Sequence, residues 1–80
     1  MAFNNLRAGN TVYILRKDVP SIEIGKVINV SLPTPKYGNG LDLVLDITTE
    51  TSNYQRLPAN TDIADLGNNI VISCSKDAIS

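Results

Sequence analysis

Eighty residues, 42 % of them hydrophobic, with a mean hydropathy of -0.01, describe one small folded domain and exclude a disordered segment. Seven basic and eight acidic residues leave a net charge of -1 with no same-sign block, which argues against a concentrated basic face for phosphate backbones. There is no His, and Cys74 is the only cysteine, so an internal disulfide and the usual zinc ligand sets are excluded as well.

The first twenty residues hold no apolar run of signal-peptide length, and no stretch is long and apolar enough to cross a bilayer as a helix. Synthesis in a reducing cytoplasm, without a membrane anchor of its own, is the expectation. With one Phe, three Tyr and no Trp, the core has to be aliphatic.

In chain order, Phe3 and Leu6 are apolar bulk suited to plug one end of a core. The alternative is that this N-terminal arm lies on a neighbouring subunit. Gly9-Asn10 then turns the chain into a first strand, Thr11 to Arg16. Val12 and Ile14 share one face of it; Tyr13 and Leu15 share the other. Lys17 to Ser21 is a turn around Pro20, which cannot donate to a ladder.

The second strand spans Ile22 to Ser31. Grouping Ile22, Ile24, Ile28 and Val30 inward also brings Lys26 inward. A bulge or bend at Gly25 resolves this by rephasing the strand, and a curling sheet uses such bends. Leu32 to Gly40 is the longest loop, stiffened by Pro33 and Pro35 and released by Gly38-Asn39-Gly40.

The central strand runs from Leu41 to Thr49. Leu41, Leu43, Leu45, Ile47 and Thr49 fall on one face, and Asp42, Asp46 and Thr48 on the other. After a polar turn at Glu50 to Asn53, a short fourth strand covers Tyr54 to Leu57 and is closed by Pro58. Ala59 to Asn68 is expected to hold one helical turn, capped by Thr61 or Asn60 and ended by Gly67, with Ile63 and Leu66 dipping inward. Asn69 to Cys74 is the fifth strand, with Ile70, Ile72 and Cys74 facing together. Residues 75–80 look like a helix start, with Ser75 as N-cap and Asp77 in the first turn. That unfinished look points to an N-terminal part of a longer protein, or to a tail ordered by a partner.

Five short strands with a single helical turn before the last predict an all-β fold, a small SH3-like barrel over residues 1–80. Its core takes Leu43, Leu45, Ile47, Ile14, Ile28 and Ile72. An OB-fold also has five strands, but it places a helix between the third and fourth, where this chain has only residues 50–53.

No catalytic constellation emerges. Asp42 and Asp46 lie about 13 Å apart along a strand, too far for paired-carboxylate chemistry. Asp62 and Asp65 lack a third ligand at fixed spacing, so capping and solubility explain them better than a metal. Cys74 sits with Ile70 and Ile72 and has no His or second Cys, which describes an inert thiol. Gly38-Asn39-Gly40 lacks the Lys and following helix of a phosphate loop. No enzyme activity, cofactor or metal is expected.

Arg16, Lys17, Lys26, Lys36 and Arg56 scatter near Tyr37 and Tyr54, but acids interleave with them, which disfavours nucleic acid as a partner. A groove for proline-rich peptides needs an aromatic lining that this chain lacks. Tyr13, Leu15, Val44 and Val71, in contrast, face outward if Val12, Leu43 and Ile70 face inward. Such a patch, with Phe3 on the arm, marks a surface for protein. The competing account is a two-sided core covered by arm or tail.

The segments Met1-Ala-Phe-Asn-Asn-Leu-Arg, Val12-Tyr-Ile-Leu, Glu23-Ile-Gly-Lys-Val27 and Leu57-Pro-Ala-Asn60 resemble the short barrel domains at the N-termini of virion proteins in crAss-like tailed phages. The resemblance implies a capsid-associated structural protein of the virion, assembled in the host cytoplasm: an auxiliary (decoration) protein or the anchor of a head fibre. Its partners would then be capsid or other virion proteins, or further copies of the same chain. It carries over no site residues.

Overall fold

The computed structural model describes residues 1–36 and 42–78. The described chain is all-β, with seven strands: β1 (Thr11–Arg16), β2 (Ser21–Val30), β3 (Thr34–Pro35), β4 (Leu43–Thr49), β5 (Asn53–Pro58), β6 (Ile63–Gly67) and β7 (Ile70–Ser73). Short 3-10 turns at Phe3–Asn5 and Lys76–Ala78 flank them. The strand order is β3-β4-β2-β1-β7-β6, with β5 on the other edge of β4. The sheet is curled into a half-barrel, consistent with the small barrel that the strand pattern predicts.

The ten-residue β2 makes the curl possible. Its first half pairs with β1, from Thr11 opposite Lys26 to Arg16 opposite Ser21. Its second half pairs with β4, Val27 opposite Thr49 and Val30 opposite Ile47. One strand therefore serves both walls. A register shift between Val27 and Asn29 inserts the extra residue that bends it.

The inner surface is aliphatic. Val12 and Ile14 from β1, Val27 from β2, Leu45 and Ile47 from β4, Leu57 from β5, Ala64 from β6 and Ile72 from β7 form one buried cluster. Alternation along β4 holds: Leu45, Ile47 and Thr49 are buried and Leu43 is half-buried. Phe3 and Leu6 complete the core from one end. The N–H groups of Phe3 and Asn4 donate to the carbonyls of Thr61 (2.8 Å) and Ala59 (3.0 Å). The arm is thus fastened to the segment that links β5 to β6, and it plugs its own barrel.

The structure corrects the sequence expectations at four places. First, the phase of β2 is reversed. Gly25 and Val27 face inward, while Ile22, Ile24, Lys26 and Ile28 are exposed, so Ile28 is not a core residue. The rephasing lies at Ile28–Asn29 rather than at Gly25. Gly25 is the inward residue because a Cβ there would stand 3.2 Å from Ile14 Cδ1 and from Thr49 Cγ2. Keeping Lys26 in water avoids the desolvation that the other phase would impose.

Second, the helical turn expected between Ala59 and Asn68 is replaced by β6. Asn68 and Asn69 both adopt left-handed backbone (φ +53 and +63), which is what a two-residue hairpin needs to match strand twist. The hairpin pairs Ala64 with Ile72 and Asp65 with Val71. A lone helical turn offers no such ladder. Ile63 is exposed there and Leu66 half-buried.

Third, the loop after β2 contributes β3, with Thr34 opposite Val44 and Pro35 opposite Leu43; residues 37–41, including Gly38-Asn39-Gly40, Tyr37 and the expected strand start at Leu41, lie outside the described residues. Fourth, the expected helix start is a single 3-10 turn at Lys76–Ala78. Ahead of it, the Ser73 hydroxyl donates to the Ser75 carbonyl (2.9 Å) and accepts from the Ser75 N–H (3.0 Å), and residues 79–80 lie outside the description.

Candidate protein interface

The outer face of β2, β1, β7 and β6 is set by register. One cross-strand row reads Ile24, Tyr13, Ser73, Ile63, and the next reads Ile22, Leu15, Val71, Asp65. Residues directly opposite one another share a face, so these rows gather five apolar side chains and one tyrosine outside the barrel. Ile24 is 71 % exposed, and Ile22 and Ile63 are partly so. Further along β2, Ile28 is 52 % exposed, and Leu32 beyond it is 85 % exposed. The isoleucines alone run about 20 Å along the strand. Lys26 stands among them, exposed.

Around Ile28 and Leu32 the surface is concave. A groove of about 400 Å³ lies between this end of β2 and the N-terminal arm, with Leu6, Arg7, Ile28, Leu32 and Pro33 in its walls. Arg7 is held in place by its own backbone surroundings, donating from Nη1 to the Leu6 carbonyl at 2.9 Å.

Of the residues singled out from the sequence as an interface, Tyr13 and Leu15 do lie on this outer face, half-buried. The other three do not form an exposed patch with them. Val71 shares the row but is 8 % exposed, because Leu15 and Asp65 flank it on neighbouring strands. Val44 is buried on β4 between Thr34 and Pro58, and Phe3 is fully buried in the plug. Sequence reasoning missed Ile22, Ile24, Ile28, Leu32 and Ile63. Lys26 was the signal that could have found the first three: if the lysine faces water, strict alternation carries Ile22, Ile24 and Ile28 out with it.

Several charged residues bond within the domain. Arg16 Nε donates to Glu23 Oε1 at 2.8 Å across the β1–β2 pair. That bond and the opposite charge raise the Arg16 pKa and lower that of Glu23. Lys17 Nζ meets Asp65 Oδ2 at 3.2 Å. Asp65 also accepts the Gly67 N–H at 2.9 Å, and that backbone bond, then Lys17, holds its carboxyl below the usual carboxylate range. Asp46 Oδ1 accepts the N–H of Arg56 at 3.0 Å, pinning a bulge in β5. Arg16 and Lys17 thus each meet an acid in a surface ion pair; Tyr54 packs against the core.

Cys74 is half-buried. Burial, and to a lesser degree Asp62, push its thiol up to about 11, far from the reactive range. Among the described residues, no three acidic, Cys or His side chains come together where they could hold a metal ion, and no helix is long and apolar enough to cross a membrane. No protein-family model matches the chain, and no curated protein or solved structure matches it either.

Proposed function

We propose that this domain is a non-enzymatic, structural protein-binding module, docking through the outer face of β2 and its flanking strands onto a larger assembly. The observation that carries the proposal is the line of water-exposed isoleucines, Ile22, Ile24 and Ile28, framed by Tyr13, Leu15 and Ile63. Three β-branched residues in water on one strand cost solubility and give nothing back to the core, and exposed apolar side chains gathered on one strand, here with Lys26 among them, mark a docking site. The resemblance to barrel domains of crAss-like phage virion proteins supplies the setting: a component attached to the capsid, as a decoration protein or head-fibre anchor. In a symmetric assembly the contact repeats over many copies, so a modest patch suffices.

The test is retention of assembly proteins by the purified domain at low and high salt, with bound proteins identified by mass spectrometry. Burial of apolar surface holds or strengthens as salt rises, so a capsid-class protein should stay bound at high salt and be lost on Ile24→Ser with Ile28→Ser. Micromolar oligonucleotide binding that collapses with salt, with no protein retained, would overturn the proposal in favour of a nucleic-acid-binding barrel.

A further inference from the structure

A second concavity lies on the other wall of the barrel, away from the isoleucines. It encloses about 320 Å³ at the end of β4 and β5. Leu43, Val44 and Pro58 line it with apolar surface, while Arg56, Asp42 and Asn60 supply polar groups. Small-ligand sites have this composition, mostly apolar with a few placed polar groups.

Arg56 is the unusual member. Its backbone lies in the left-handed region (φ +58), which Gly or Asn occupies readily and a long side chain does not. The strain is held by β4: the register between β4 and β5 shifts between Leu45 and Ile47, and Asp46 Oδ1 accepts the Arg56 N–H at 3.0 Å. Strained residues persist where the surroundings hold them, and they concentrate at ligand sites. A glycine would fill this bulge without strain, yet an arginine stands there and lines the cavity.

Its guanidinium has no carboxylate partner among the described residues. It makes one long contact, Nη2 to the Lys36 carbonyl at 3.5 Å, which leaves most of its five donors for another acceptor. Asn60 adds neutral donors, since its Oδ1 is already taken by Asn4 Nδ2 at 3.3 Å. Asp42 also lines the pocket and sets the charge that fits. Lys36 lines it as well, so two basic and one acidic side chain leave one net positive charge, which a single carboxylate on the guanidinium balances and a doubly charged phosphate exceeds.

We propose that this pocket binds a monocarboxylate on a short apolar stem, with Arg56 engaging the carboxylate and Leu43, Val44 and Pro58 receiving the stem. A free aliphatic acid and a glutamate side chain of a partner peptide both present this chemistry. The site does not depend on the isoleucine face.

Amide and Arg Nε–H spectra of the 15N-labelled domain, at constant ionic strength, distinguish these cases. The titrants are butyrate, a capped peptide with one glutamate, the same peptide with glutamine, and inorganic phosphate. Saturable shifts confined to Arg56 and residues 43–44, 57 and 59–61, given by butyrate or the glutamate peptide and at least tenfold weaker with the glutamine peptide and phosphate, are expected. Saturation by both carboxylates identifies a general carboxylate site; saturation by the peptide alone identifies an acidic segment of a partner. Arg56→Gly should abolish the shifts while keeping the native spectrum and an unchanged or higher melting temperature. No saturable shift with either carboxylate, equal binding of phosphate, or shifts that survive Arg56→Gly would overturn the proposal.

Discussion

Gly25 faces the core at the centre of β2, and the structure sets what a single added methyl would do there. A Cβ would meet Ile14 Cδ1 and Thr49 Cγ2 at 3.2 Å and Val12 Cγ2 at 3.3 Å, all closer than ordinary van der Waals contact. Ile14 can swing its terminal methyl. Val12 and Thr49 are β-branched and stiff about their first torsion, so their methyls yield only if the strands move. Two effects oppose each other in Gly25→Ala. Restricting the unfolded chain stabilises by about 0.4–1 kcal/mol, and overpacking costs about 1–3 kcal/mol. The second is larger because three atoms, two of them rigid, are crowded at once. The expected result is destabilisation of about 1 kcal/mol, seen as a melting temperature about 4–8 °C lower for a domain of this size. Gly25→Val adds two further methyls to the same space and should cost about 3 kcal/mol, a large share of the total stability of so small a domain. Urea melts of wild type and both variants, with comparable m-values, decide the matter. If Gly25→Ala melts at or above the wild-type temperature, the strands have slack and the close approach of β1, β2 and β4 is not what selects glycine.

Leu45→Ala, in the centre of the buried cluster, should cost about 2–5 kcal/mol in the same melts; a change under about 0.5 kcal/mol would refute the core assignment. Ile24→Ser with Ile28→Ser should change stability by less than about 1 kcal/mol, because both side chains already stand in water, so any larger loss would mean that they pack rather than dock. Cys74 predicts a pH effect. Its folded pKa is raised to about 11 against an ordinary 9.0, so between those values the unfolded chain has lost a proton that the folded one keeps, and stability falls as pH rises. Cys74→Ala should remove that fall, and a thiol reagent at pH 8 should modify the folded protein more slowly than the urea-unfolded one. Thr61→Ala with Asp65→Ala should make the domain self-associate through β6.

The central strand was legible in the sequence because one face of β4 is clean: Leu45, Ile47 and Thr49 go in together, with Asp46 and Thr48 opposite. The plug at Phe3 and Leu6 was legible from its apolar bulk, and β1 from its β-branched run, although with Val12 and Ile14 on one face and Tyr13 and Leu15 on the other neither of its faces is cleanly polar. β2 was not, because its outward isoleucines are as hydrophobic as core residues and alternation fixes two faces without saying which is inside. Only the positions of Gly25 and Lys26 break that tie, and a rephasing bulge at Gly25 explained both without reversing the strand. β6 failed for a different reason. Thr61 or Asn60 and Gly67 read as cap and stop of a helical turn, with Ile63 and Leu66 three apart, but Asp65 accepts the Gly67 N–H and the Asn68-Asn69 turn returns the chain into a ladder. The pocket at Arg56 had no sequence signal at all, since a positive φ at an arginine comes from a register shift between two strands.

The way β6 ends the sheet bears on whether the sheet can grow by adding strands. β6 is terminal in the strand order, and a terminal strand offers unpaired backbone groups to any other chain that runs alongside. Here the Thr61 hydroxyl donates to the Ile63 carbonyl at 3.1 Å, and Asp65 sets a charge on the strand while its Oδ1 accepts the Gly67 N–H at 2.9 Å beside the pairing of Gly67 with Ile70. On the opposite side, β5 ends in Pro58, which has no N–H, and is bent at Arg56. Both β5 and β6 thus carry features that blunt the sideways addition of strands. Sedimentation of the Thr61→Ala, Asp65→Ala protein tests this directly. Freed of its caps and of one charge, β6 should pair with β6 of another copy, giving dimers or larger species at concentrations where the wild type stays single. The Ile24→Ser, Ile28→Ser protein should show no such gain. A monomeric double variant at β6 would mean that the caps are incidental and that twist alone protects the edge.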